Sequence, residues 1–429
     1  MTGSRSWLET AEWTQLEGWL REHAPLSLDD SGASSFLGQG TQPMSEDEQA
    51  ALAAWAETVA IRLDPDLDLS AHSETTGEAG LCPEVPRPAA SLFLPGEGYL
   101  IIDPISGQKC YTTLDGDIPG LFQAVNGAVF YTVLQDDQFV VKRLDRDGSA
   151  SLLSFTAVDR DDALLYHSFV VSPDGSRLAW SATSAGADYA GPEASTMWMA
   201  GVDGTELVTL LSEERSGDED RWTPVPVRFS KDNSTLFYTQ QPIGMGGVWS
   251  AYIGRYNNLY ALRLGTEAEP TLIFDCAGER NRLCIGDFIE LEGQVTTLAY
   301  VEGSSVVILN GAGAVLNTVA LEDDYVGYPT FGPAGELVFY GADLDEGPNA
   351  SIMPLMGTIY RVAPPTAPHE MLASDPGLFL PRDWLDPAHI VVGYVGSNEE
   401  WGMAIVDLQG SLQIVDVEPD GSYVGVLSQ

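Results

Sequence analysis

The chain has 429 residues, more than one ordinary hydrophobic core fills, so its length calls for several domains or a modular fold. With 44% hydrophobic residues, 44 glycines and 19% charged residues, it has the composition of a turn-rich globular protein rather than a disordered one. Sixty-three acids against 20 bases give a formal net charge of −43, which excludes nucleic acid and anionic membranes as partners and suits a solvated surface, cations or a basic partner.

In chain order, residues 6–24 are predicted to form an amphipathic helix, with Trp7, Leu8, Ala11, Leu16, Trp19 and Leu20 near one stripe. Residues 46–63 are predicted to form a second, capped by Ser45 with Glu48 three residues on. Residues 25–43 and 64–91 are rich in Gly, Ser, Asp and Pro and read as loop and linker, so 1–91 is taken as a helical N-terminal region. Neither an apolar run of about 20 residues, as a transmembrane span needs, nor a signal peptide is legible, since Trp7, Glu9, Glu12 and Glu17 interrupt the N-terminus.

From about residue 92 the period changes to short β-branched and aromatic runs between turns. One series of turns precedes a strand: 125–128, 172–175, 230–233, 291–294, 332–335, 385–388 and 418–421. A second series joins later strands at Gly107, Gly148, Gly204, Gly265, Gly313, Pro364–Pro365 and Gly410. The two series interleave seven times, at spacings from 41 residues (Gly107 to Gly148) to 61 (Gly204 to Gly265). Four strands per repeat at that spacing predict an all-β, seven-bladed β-propeller over 92–429, because a single blade cannot bury both its faces. The first repeat is short and a surplus strand, Tyr423–Leu427, ends the chain, so that strand is expected to close the ring.

The repeats at 167–211, 227–273 and 329–372 resemble those of TolB-like propellers and of propellers attached to prolyl-oligopeptidase-type hydrolases. The clearest copy is Phe169-Val-Val-Ser-Pro-Asp-Gly-Ser-Arg-Leu-Ala-Trp180 followed by Met197-Trp-Met-Ala-Gly-Val-Asp-Gly-Thr-Glu-Leu-Val-Thr-Leu-Leu211. No Gly-x-Ser-x-Gly elbow accompanies the repeats. The resemblance therefore implies a scaffold and leaves activity open.

Four cysteines are present. Cys276 and Cys284 bracket a short polar loop, and Cys82 with Cys110 would tie the linker to the first blade. An even, pairable count points to an oxidising compartment, periplasmic or extracellular.

In a propeller the tight turns share one face, and the blade-joining loops and the loops between second and third strands share the other. Here the second set is long, acidic and aromatic. Tyr189, Trp222, Arg255, Tyr256, Asp324, Tyr325 and Trp401 are its candidate binding residues, suited to a basic protein patch or to a glycan stacking on rings. No cofactor is indicated; Asp343, Asp345 and Asn349 in the long sixth-blade loop are a candidate Ca²⁺ set. The expected role is an extracytoplasmic, non-enzymatic binding or scaffold propeller for a protein or glycan. The alternatives are a glycosidase or polysaccharide lyase with carboxylates near the channel, and a structural subunit of a larger cell-surface assembly.

Overall fold

The computed structural model describes residues 88–427 apart from the segments 95–97, 104–107, 113, 115–120, 146, 161–163, 185–192, 216–221, 243–253, 267–268, 277–282, 344–355, 397–400 and 418–421. The chain divides into two compact units, Met1–Gly77 and Glu78–Gln429. All described residues belong to the second, so the two expected N-terminal helices lie outside them.

The described residues of this unit form seven four-stranded antiparallel sheets. Six take four consecutive strands each. Blade 1 is composite: Ser422–Leu427 pairs with Ala89–Leu94, which continues to Gly98–Ile102 and Lys109–Thr112. The C-terminal strand thus closes the ring as expected, with Val426 opposite Ala90 and Leu427 opposite Ala89. The first strands of the blades gather around the axis: Ser422–Leu427, Phe122–Val125, Leu164–Val171, Trp222–Phe229, Ile285–Leu291, Tyr325–Phe331 and Leu378–Asp386. The last strand of each blade faces outward, as Val315–Ala320 does with mostly exposed residues.

The second strands are the apolar heart of the blades. Ala128–Gln135, Thr235–Pro242 and Leu337–Asp343 each carry a Phe-Tyr pair, and Phe130, Tyr131, Phe237, Phe339 and Tyr340 are fully buried. A second strand is covered by blades on both sides, so it loses the polar alternation of a one-sided sheet. The largest core cluster runs through blades 4 to 7, with smaller ones between the remaining neighbours.

Turn chemistry fixes the tight-turn face. In Ser172-Pro-Asp-Gly175, Asp174 accepts from Ser172 Oγ at 2.6 Å and Ser176 N at 3.0 Å, while Gly175 takes φ 71°. Asp232 repeats this with Ser230 Oγ at 2.6 Å and Ser234 N at 3.1 Å. Neighbouring turns are stitched together: Asn126 Nδ2 donates to Asp174 O at 3.1 Å and Asn233 Nδ2 to Asp174 Oδ2 at 2.7 Å. On the opposite face, a disulfide joins Cys276 to Cys284 between blades 4 and 5, as the spacing predicts. Cys110 is also disulfide-bonded; Cys82, its expected partner, lies outside the described residues.

Candidate functional site

Aligning the blades on a buried residue of each second strand reveals a ring of comparable positions. Val129, Leu178, Leu236, Leu298, Leu337 and Ile390 pair with Ala124, Val171, Phe229, Phe288, Phe331 and Trp384 of the inner strands. One residue before these stand Gln123, Val170, Arg228, Asp287, Thr330 and Asp383. In blades 4 to 7 the ring residue is polar, and in all four it follows a register shift: at Pro226/Arg228, Ile285/Asp287, Gly327/Thr330 and Pro381/Asp383. A bulge bends its strand and re-aims the next side chain, so polar groups reach the axis from strands otherwise committed to packing. Proline and glycine make room for it. Tyr328 sits at φ 54° before Pro329, and a Cβ on Gly286 would lie 2.2 Å from the Pro329 ring.

The ring residues reach from blade to blade. Gln123 Oε1 accepts from Val171 N of blade 3 at 2.7 Å. Arg228 of blade 4 lies over the Phe288 ring, its Cζ 3.7 Å from the centroid, and donates to Phe288 O and, at 3.3 Å, to Asp287 Oδ1. Asp287 of blade 5 accepts from Phe288 N at 2.8 Å and, through Oδ2, from Phe331 N of blade 6 at 2.9 Å. Asp383 of blade 7 accepts from Trp384 N at 2.8 Å.

One long loop enters this ring from the other face. The segment Gly254–Asn257, between the second and third strands of blade 4, docks on the start of the blade 5 inner strand. Arg255 N and Tyr256 N both donate to Ile285 O, at 2.7 and 3.0 Å, and Ile285 N donates to Tyr256 O at 2.9 Å. The disulfide secures the same place, since Cys276 N donates to Asn257 O at 3.1 Å and Val301 N to Cys284 O at 2.9 Å. Gly254 has no room for a side chain; a Cβ there would lie 2.6 Å from the Cys284 backbone. From this anchor Arg255 crosses to blades 6 and 7, its Nη2 donating to Thr330 Oγ1 at 3.1 Å and to Arg382 O at 3.0 Å. Burial opposes the Arg255 charge, but Tyr256, Asp287, Asp383 and Tyr328 around it more than offset that and raise its pKa. Burial pushes the Tyr256 phenol up, opposed by Arg255 and Arg228, so it stays protonated at neutral pH.

The structure distributes the predicted site residues unevenly. Arg255 and Tyr256 come together at the axis. Trp222 is half-buried at the start of its inner strand, and Asp324 is exposed on a blade-joining loop. Tyr325 is buried, edge-on to Tyr340 with centroids 6.0 Å apart, and so serves packing. Tyr189 and the Trp401 side chain lie outside the described residues. So do Asp345 and Asn349 of the Ca²⁺ set. Asp343 is exposed at the end of its strand; burial, together with Asp343 and Asp324, raises the pKa of nearby Asp323. Sequence reasoning missed Arg228, Asp287, Thr330 and Asp383. The signal was present: Val-Arg-Phe, Gly-Asp-Phe, Pro-Thr-Phe and Arg-Asp-Trp each set one polar residue before the inner-strand aromatic.

No protein-family model and no curated protein sequence matches the chain. Among solved structures it is similar to TolB from Acinetobacter baumannii, at 13% identity over 78% of this chain and 66% of that one, with a TM-score of 0.38. It is also similar to an oligogalacturonate lyase from Vibrio parahaemolyticus (11% identity, 72% and 83% covered, TM-score 0.49) and to an acylaminoacyl peptidase from Pyrococcus horikoshii (11%, 74% and 47%, 0.46). The chain thus spans about two thirds of the TolB chain and about half of the peptidase. The seven-bladed propeller that the repeats imply is present.

Proposed function

We propose that this chain is an extracytoplasmic, non-enzymatic binding propeller that recognises a protein or glycan partner through its loop face, centred on the anchored Arg255–Tyr256 segment. The observation that carries this reading is the state of Asp287. Both carboxylate oxygens are committed to backbone N–H donors, and one also to Arg228. A carboxylate held by donors from three residues works as a joint between blades rather than as a group aimed at a substrate, as general acid–base work demands. A rigid platform of arginine and tyrosine, by contrast, is what recognition surfaces use, because such side chains lose little entropy on binding. The Cys276–Cys284 disulfide supports a periplasmic or extracellular setting.

The test pairs Trp222→Ala with Asp324→Lys in the full chain. A partner captured by cross-linking from the envelope fraction of the producing organism is purified and titrated against both forms. Binding weakened at least tenfold, at an unchanged melting temperature, is the expected outcome. Equal affinity would move the interface off this face.

A further inference from the structure

We propose that the outer groove between blades 3 and 4 is a strand-addition site, where an extended, uncharged and largely apolar segment of a partner protein pairs with the edge strand Val208–Arg215. The tight turns at Asn233 and Gly265 border this groove, so it lies away from the loop face and goes beyond the loop-face reading.

Blades splay as they leave the axis, so the space between neighbours widens towards the outer strands and takes more side-chain volume to fill. Between blades 3 and 4 it is not filled. A groove of about 890 Å³ remains, within the range of about 300–1,000 Å³ typical of ligand clefts. Its floor is apolar. Met199 and Leu262 are buried there, with Leu210, Leu211 and Leu264 half-buried, all packed on the core cluster that the two blades share. One wall is a strand edge. Val208–Arg215 is the last strand of its sheet, with a partner on one side only. Thr209 lies opposite Trp198, whose ring packs on the core shared with blade 2. Residues directly opposite in a ladder share a face, so the Thr209 side chain leans away from blade 4. Thr209 nevertheless lines the groove, and so meets it through its backbone. This edge carries none of the lysines, prolines or charges that guard exposed edges: 207–212 reads Leu-Val-Thr-Leu-Leu-Ser, with Leu207 53% and Val208 42% exposed. Its one register shift, around Leu210, leaves Val208–Thr209 and Leu211–Arg215 in regular pairing.

The rim selects the occupant. Arg177 and Arg263 stand there with Glu206 and Glu269. Arg177 donates to Asn233 O at 3.3 Å and lies 3.9 Å from Glu206, so its charge is already matched. Two bases and two acids make this groove neutral on a chain of net charge −43. A charged ligand meets no net attraction at such a rim and loses hydration over the apolar floor. A small apolar molecule would fill the floor but cover the N–H and C=O groups of the edge without satisfying them. An extended uncharged segment does both: its backbone continues the ladder, and alternate side chains sit on the leucines and methionine.

The experiment uses the full-length protein and a pool of short acetylated, amidated peptides drawn from Val, Leu, Phe, Thr and Ser, beside the same pool methylated at every backbone nitrogen. Retention is measured by equilibrium dialysis and mass spectrometry. The unmethylated pool is expected to be retained about tenfold better, although methylation makes a peptide more apolar, and to slow amide exchange across 208–215. Val208→Lys and Thr209→Lys, both at exposed positions, should each lower that retention about tenfold at an unchanged melting temperature. If one variant does not fold, the other decides. Equal retention of the methylated pool, unchanged exchange across 208–215, or full retention by a folded lysine variant overturns the site. Self-association of the peptide-free protein that Val208→Lys abolishes makes a second copy the occupant and overturns the partner segment. The Trp222→Ala, Asp324→Lys form should retain the pool as the unaltered protein does, so this site and the loop-face reading fail separately. Loss of retention in that form would move the peptides to the loop face and overturn the groove.

Discussion

Asp287 makes the clearest case that a single side chain here holds blades together. Its carboxylate accepts backbone hydrogens from its own strand and from blade 6, and meets Arg228 of blade 4. Truncation to alanine strands two buried N–H groups and a half-buried guanidinium. Asp287→Ala should therefore cost about 3 kcal/mol of unfolding free energy, measured by urea denaturation. Asp287→Asn, which keeps one acceptor oxygen, should cost clearly less. His167 offers a pH-dependent counterpart. Burial drives its pKa down to about 4, its ring stacks on Phe139 at 5.8 Å, and its Nε2 has no partner. A lowered histidine pKa means the unfolded chain takes up the proton first. The neutral form's contribution is thus complete above about pH 6.5 and is lost as pH falls towards 4. His167→Phe should flatten the stability profile across that window, and an unchanged slope would assign it to other groups.

Among the elements, the loop carrying Arg255 is held by strand-like pairing to Ile285, by the absence of a side chain at Gly254, and by the disulfide beneath it. Closing so short a loop removes chain entropy from the unfolded state worth about 2–3 kcal/mol. Replacing Cys276 and Cys284 by alanine together should lower stability by that amount in a thermal melt. The inner-strand bulges belong to this scale too. Each contains a proline or glycine, Pro226, Gly286, Pro329 and Pro381, and each delivers one polar residue to the axis. The pattern was readable as a break in apolar runs, but the direction of the side chain after a bulge depends on the partner strand's register.

For the molecule as a whole, stability rests on closure. The Ser422–Leu427 strand is the inner strand of blade 1 and packs against those of blades 2 and 7. Deleting residues 422–429 opens the ring, strips the inner edge of Ala89–Leu94 and uncovers Leu385 and Met403. An unpaired edge beside apolar surface is an aggregation template. The truncated chain should elute as soluble aggregate in size-exclusion chromatography, whereas loss of one outer strand should be tolerated.

The sequence by itself determined the propeller, its seven blades, the closing strand, the Cys276–Cys284 bridge and the division into a tight-turn face and a loop face. Those features follow from local chemistry: Ser-Pro-Asp-Gly turns, runs of β-branched and aromatic residues, and the spacing between them. The axial ring was decided only by tertiary structure. Arg228, Asp287, Thr330 and Asp383 lie 43 to 59 residues apart in succession along the chain and meet because comparable positions of successive blades converge on one axis. Arg255 joins them because its loop is anchored on a neighbouring blade. Tyr325, placed on the rim by its position in the sequence, is buried edge-on to Tyr340 of the neighbouring strand in its own blade. Whether an aromatic side chain faces a ligand or a neighbour depends on what packs over it, which no local pattern encodes.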